Sequence, residues 1–157
     1  MTSGTRWLDD DEQALWRLLL GAMRKINRGM DETLLEVSEL TISEFSVLVA
    51  LSEAEQQKLR LRDLCSALGW DRSRASHQIT RMTRRGLVSK TKSLSDARGV
   101  LVQITEEGLL RLETAVPDHV ESVRRLVFDH MEQSDKASLE RFLSGVMSVD
   151  NVAGYRK

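Results

Sequence analysis

Residues 59–104 constrain this chain more than any other stretch, because four local patterns follow one another there in a fixed order. A short helical pattern carrying Leu61, Leu64 and Leu68 stops at Gly69-Trp70-Asp71. A second helical pattern starts at once. Asp71 is a good N-cap, since its carboxylate can accept the orphan amide hydrogens of the first turn, and Gly86 suits the left-handed residue that ends a helix. At about 100° per residue, Ala75, Ile79 and Met82 share one narrow face, while Arg74, His77, Gln78, Arg81 and Arg85 fall on roughly the opposite one. Two apolar, β-prone stretches follow at residues 87–90 and 100–105, separated by a polar tip at residues 93–99. Helix, turn, helix and hairpin in this order predict a winged helix-turn-helix.

The residue types on the second helix suit nucleic acid. An arginine fork can bond guanine at two points or hold a phosphate, Gln78 can pair with adenine, and small Ser73 and Ser76 allow close approach. Arg74, Ser76, His77, Gln78 and Arg81 are the expected readers of a major groove, and Arg62, Arg84 and Arg85 the expected phosphate contacts. At the hairpin tip Arg98 is placed to enter a minor groove, and Asp96, two residues before it, to fix the direction of its guanidinium. Alone, a basic helix face is often just a solvated surface, and an exposed ion pair contributes little. The turn before the helix and the hairpin after it set this case apart. The net charge of −1 conceals a strong segregation: residues 58–98 carry eleven basic and three acidic side chains, +8, which leaves −9 on the remainder. A basic lobe on an acidic body is the expected footprint of a selective DNA reader.

Either side of this lobe the chain reads as helix. Asp9, Asp10, Asp11 and Glu12 suit the positive end of a long helix over residues 10–38, with Leu15, Leu18, Leu19, Ala22, Ile26, Thr33 and Val37 at helical spacing. Thr41-Ile42-Ser43-Glu44 is a capping box opening a short helix through Leu51, and residues 53–58 read as a polar turn. Thr105 caps a helix whose period runs on to Met131, with Pro117 expected to kink or split it. Ser134 is the expected cap of a last helix carrying Leu139, Phe142, Leu143 and Val146, and residues 150–157 read as a frayed tail. The fold class is therefore mostly α with a small β-hairpin wing. A winged helix-turn-helix lobe at 39–108 is flanked by an N-terminal helix at 1–38 and C-terminal helices at 109–157. Those flanking helices are more apolar than one lobe needs, which predicts that they dimerise.

No apolar run of about 18 residues is present and the N-terminus lacks a signal-peptide core, so a cytoplasmic protein without a membrane span is expected. The single cysteine, Cys65, lies among Leu61, Leu64 and Leu68 and is expected to pack. His77, His119 and His130 lack metal-ligand spacing, so neither a metal nor a cofactor is expected; His119 and His130 are placed on or beside the dimer interface. Trp70 at the turn is expected to pack the two motif helices together.

Residues 59–108 resemble the MarR family of bacterial transcriptional regulators. The resemblance is carried by Leu64 and Leu68, Asp71-Arg72-Ser73, Arg81, Arg84-Arg85-Gly86-Leu87-Val88, the wing Asp96-x-Arg98-Gly99, and Leu101-x-Gln103-Ile104-Thr105-x-x-Gly108. Arg74 and His77 stand at positions that vary in that family and set the operator sequence. The resemblance implies an intertwined homodimer that reads a pseudo-palindrome in double-stranded DNA, with recognition helices about 34 Å apart. It also implies a repressor responsive to a small, aromatic or anionic effector bound between the dimer helices and the lobe. A urate-responsive branch is similar in a tryptophan and an aspartate that would here be Trp16 and Asp63, although Trp7 and Trp16 also suit a dimer core. Peroxide sensors of the family carry their reactive cysteine in the first long helix, where this chain has none.

Two other classes compete. A winged-helix protein–protein interaction module without DNA function is the alternative, and the +8 lobe argues against it. An enzyme is not expected: no nucleophile–base pair, metal spacing or glycine-rich phosphate loop is found.

Overall fold

The computed structural model describes residues 4–94 and 99–149. The order is α1 (Asp10–Ser38), α2 (Ile42–Glu53), a single 3-10 turn at Glu55–Gln57, β1 (Lys58–Arg60), α3 (Leu61–Leu68), α4 (Arg72–Arg84), β2 (Val88–Lys92), β3 (Val100–Ile104) and α5 (Glu106–Leu126). A second 3-10 turn at Phe128–His130 then leads to α6 (Gln133–Met147).

Capping sets most boundaries. Asp9 accepts from the Glu12 amide at 2.8 Å while Glu12 accepts from the Asp9 amide at 3.0 Å, and Thr41 and Glu44 repeat the exchange at the start of α2. Gly86, at φ 74°, ends the α4 turn in the left-handed region where a side chain would be strained. The three strands form an antiparallel sheet in the order β1-β3-β2, with Leu59 opposite Val102 and Lys90 opposite the same residue from the other side. The core lies within residues 34–115: Leu34 and Leu40 at the α1–α2 corner, Leu48 and Leu51 of α2, Leu64 of α3, Ile79 and Met82 of α4, and Val102 of β3 are buried together. The described helices α1 and α5 pack along one another beyond this core, with Thr33 donating to Ser122 across them at 3.3 Å.

Two sequence expectations need correction and a third is narrowed. Leu59, read with the first motif helix, belongs to β1, and part of the expected turn at residues 53–58 is strand; a three-residue strand shows no period of its own and is set by its pairing with β3. Of the two outcomes expected at Pro117, a kink or a split, the split does not occur: α5 continues to Leu126. The ring lies on the exposed side, where the carbonyl it leaves without a donor remains open to water. The interruption comes instead at Val127, with φ −127° and ψ −64°. Finally, the α6 cap is Glu132, whose amide donates to Asp135 at 2.9 Å; Ser134 lies one step inside the helix.

Candidate nucleic-acid interface

Helix α4 stands with one side in the core and the other in solvent. Its N-cap Asp71 accepts from the Arg74 amide at 2.8 Å, as the sequence implies. Ala75, Ile79 and Met82 are buried, whereas Ser73, Arg74, Ser76, His77, Arg81, Arg84 and Arg85 are exposed. The exposed surface thus carries four of the arginines and the histidine that the sequence pattern singled out.

Gln78 does not share that surface. It is 5% exposed, and its side-chain oxygen accepts from Arg81 Nη2. The expectation that Gln78 faces a base edge is corrected. On a helical wheel it lies only about 40° from Met82, on the flank of the core face. Its role in the structure is to tether Arg81. Arg74 is held in a similar way by an aromatic ring: its guanidinium carbon lies 4.4 Å from the centroid of Trp70. Trp70 is half-buried against the core, so it packs the motif, as expected, and also supports Arg74.

Arg85 is held within the chain. Rather than standing free for a phosphate, it donates from Nη1 to both oxygens of Glu44, at 2.6 and 2.7 Å, and from Nη2 to the Glu39 carbonyl at 2.8 Å. Arg84 remains exposed on the surface.

Arg62 is exposed at the start of α3, 3.4 Å from Asp63. It lines a cleft of about 400 Å³ with Arg60, Arg72, Cys65 and the wing base Gly99-Val100. Arg72, in the first turn of α4, was not among the DNA contacts expected from the sequence, because on the wheel it falls about 20° from Ile79, beside the core face. Cys65 is half-buried and packs against the core, as its leucine neighbours predict. Asp96 and Arg98 lie outside the described residues.

Trp16 and Asp63 are not brought to one site within the chain. Trp16 lines a groove with Trp7, Leu8, Gln13 and Arg17, and Asp63 stands beside Arg62. His119 is tucked against Phe45 of α2, ring centroids 4.3 Å apart, and burial lowers its pKa below the usual histidine value. Among the described residues no group of three histidine, cysteine, aspartate or glutamate side chains is placed to hold a metal ion, and no helix is long and apolar enough to cross a membrane.

Comparison with known proteins points the same way as this surface. The family model of the transcriptional regulator SarA/Rot matches residues 30–113. Three solved structures align over nearly the whole chain. AbsC, a MarR family transcriptional regulator from Streptomyces coelicolor, is 38% identical, with a TM-score of 0.86 over 91% of this chain and 96% of that one. Sco3205, a MarR family regulator from the same organism solved in complex with DNA, is 29% identical, with a TM-score of 0.90 over 98% and 96%. BpsR from Bordetella bronchiseptica, whose DNA binding is regulated by 6-hydroxynicotinic acid, is 25% identical, with a TM-score of 0.78 over 92% and 99%.

Proposed function

Because the chain belongs to the MarR family of winged helix-turn-helix transcriptional regulators, we propose that it represses transcription as a homodimer whose two α4 helices enter successive major grooves of a pseudo-palindromic operator. It is a regulator and not an enzyme. The observation that carries the DNA-facing part of this reading is the outer surface of α4, where Arg74 rests on Trp70 and Arg81 is tethered by buried Gln78. Guanidinium groups held in place before binding lose less side-chain entropy when they bond a base or a phosphate. Ser73, Ser76 and His77 complete the reading surface, Arg62 and Arg84 grip phosphates, and Arg98, oriented by Asp96, reads the minor groove. Residues 39–108 form the reading lobe, and residues 1–38 and 109–157 the dimerising arms. The protein works where the chromosome is, in the cytoplasm.

A small aromatic or anionic effector releases the operator by changing the separation of the two lobes. It does so to the extent that it binds the two separations with different affinity. About 2 kcal/mol of such coupling would weaken DNA binding roughly thirtyfold. BpsR, regulated by a compound that is both aromatic and acidic, supports the effector class.

The test is quantitative binding of the purified protein to the DNA upstream of its own coding sequence, against salt concentration, with an unrelated duplex as control. Tight, selective binding with a steep negative salt slope is expected. Equal binding to both duplexes at all salt concentrations would sink the operator reading. Arg81→Ala is expected to weaken selective binding by about 1–3 kcal/mol.

A further inference from the structure

Arg85 and Glu44 form a contact that joins the reading helix to the body of the molecule. Glu44 is only 4% exposed, near the start of α2. One of its oxygens caps α2 by accepting from the Thr41 amide at 2.9 Å, and both accept from Arg85. Arg85 is the residue at which α4 ends, and its second nitrogen reaches the carbonyl of Glu39, the left-handed residue (φ 55°) that turns the chain from α1 into α2. The same corner is gripped from the other side. Arg111 of α5 donates to the Ser38 carbonyl at 3.0 Å and to the Glu39 carboxylate at 2.9 Å, while its Nε is held by Glu107 at 2.8 Å. Two arginines, one on the reading helix and one on a long flanking helix, therefore converge on one turn of backbone.

We infer that Arg85 and Glu44 are positioning residues for DNA binding, which fix the angle of α4 to the α1–α2 corner and so the direction in which its exposed arginines point. The inference rests on the DNA-reading function proposed above. Its physical basis is asymmetry of cost. A carboxylate only 4% exposed, whose oxygens are all engaged, tolerates little displacement, because losing Arg85 leaves it without its charged partner. The pair thus ties the end of α4 to the start of α2 through three hydrogen bonds from one guanidinium.

This role and a phosphate-gripping role for Arg85 predict opposite signs. Glu44→Gln keeps the shape and a cap acceptor but loses the charge. If Arg85 were a phosphate contact partly occupied by Glu44, this change would free it and strengthen DNA binding. If the pair positions the helix, Glu44→Gln weakens selective binding, although it removes a negative charge from a DNA-binding lobe. The probe is the duplex that the wild-type dimer selects from a randomised library, with an unrelated duplex as control. Fold and assembly of each variant are checked by circular dichroism and sedimentation.

The expected result is that Glu44→Gln and Arg85→Met each lose about tenfold in affinity for the selected duplex, the scale of one well-placed base contact. Both should bind the control duplex almost as wild type does, with the salt slope unchanged. The double variant should be no worse than either single one, since no buried charge is left unpaired. Tighter binding by Glu44→Gln, or a salt slope reduced by about one in Arg85→Met, overturns the inference in favour of a direct phosphate contact. Unchanged affinity in both variants also overturns it. If Glu44→Gln fails to fold, Arg85→Met and its salt slope decide alone. Failure of the wild type to select any duplex would overturn the DNA reading itself, which is a separate outcome.

Discussion

His119 Nδ1 is buried without a hydrogen-bond partner among the described residues, and the ring lies tilted on Phe45. Desolvation lowers its pKa, so the folded state holds this side chain neutral at a pH where the unfolded chain would take up a proton. The sign follows. Above the unfolded value of about 6.5 both states are neutral and the group costs nothing. As pH falls through that value the unfolded state binds the proton first, so stability is lost, until the folded group also titrates. His119→Phe keeps the ring and removes the titration. Urea midpoints measured between about pH 7.5 and 5 should therefore fall further for the wild type than for His119→Phe. Parallel curves would show that His119 is not held neutral. Hydrogen bonding rather than burial separates the arginines of α4: Arg74 and Arg81 are supported from below by Trp70 and Gln78, whereas both terminal nitrogens of Arg85 are engaged by Glu44 and the Glu39 carbonyl.

At the scale of elements, α5 is seated on the junction of α4 and β2 through Gly108. A Cβ there would lie 2.1 Å from the Leu87 carbonyl oxygen, a backbone atom that cannot turn aside. The same junction is closed by Thr105, whose hydroxyl donates to the Gly86 carbonyl at 2.6 Å and whose amide donates to Leu87 at 3.2 Å. Gly108→Ala should cost about 3 kcal/mol, since it forces the helix off the strand. Gly145→Ala in α6, where a Cβ meets nothing within 4 Å, should be neutral or stabilise by about 0.5–1 kcal/mol. Denaturant midpoints of the two variants decide this, and a Gly108→Ala protein as stable as wild type would contradict the seating. Elements of this kind were legible in the sequence where local chemistry marks their ends: Thr41, Asp71 and Thr105 all cap as expected, Asp10, Asp11 and Glu12 fall in the first turn of α1, and Gly86 closes α4. What escaped depends on neighbours far along the chain. β1 exists because Leu59 finds Val102, and Arg85 is paired because Glu44, 41 residues earlier, lies beside it. Gln78 was assigned to the wrong side because a wheel gives direction but not the depth to which a neighbouring helix covers it.

The whole molecule divides into a lobe that buries its apolar residues and arms that do not. Every buried hydrophobic residue among those described falls between positions 34 and 115. Helix α6 has no buried residue, and Leu15, Trp16 and Leu18 of α1, Val116 and Val120 of α5, and Phe142, Leu143 and Val146 of α6 are all exposed in the single chain. A surface of that kind is a liability unless it is covered, and a second copy supplies the same apolar stripes in reverse order about a two-fold axis. The positive charge is concentrated more narrowly still, with +8 on residues 58–98, while the arms at 1–38 and 109–157 together carry −3, so the reading segment is the part that draws DNA. Wild-type protein should therefore sediment as a dimer at micromolar concentration. Phe142→Asp combined with Val146→Asp should shift it to monomer by placing charges inside the covered surface, while α4 and its supports are untouched. On a selected duplex the monomer should show roughly half the wild-type salt slope, because one lobe neutralises half as many phosphates, and most of the selectivity should be lost with the second half-site. A wild-type chain that stays monomeric at that concentration, or a double variant that keeps both the dimer and the full salt slope, would mean that the exposed stripes of α1, α5 and α6 serve some other contact.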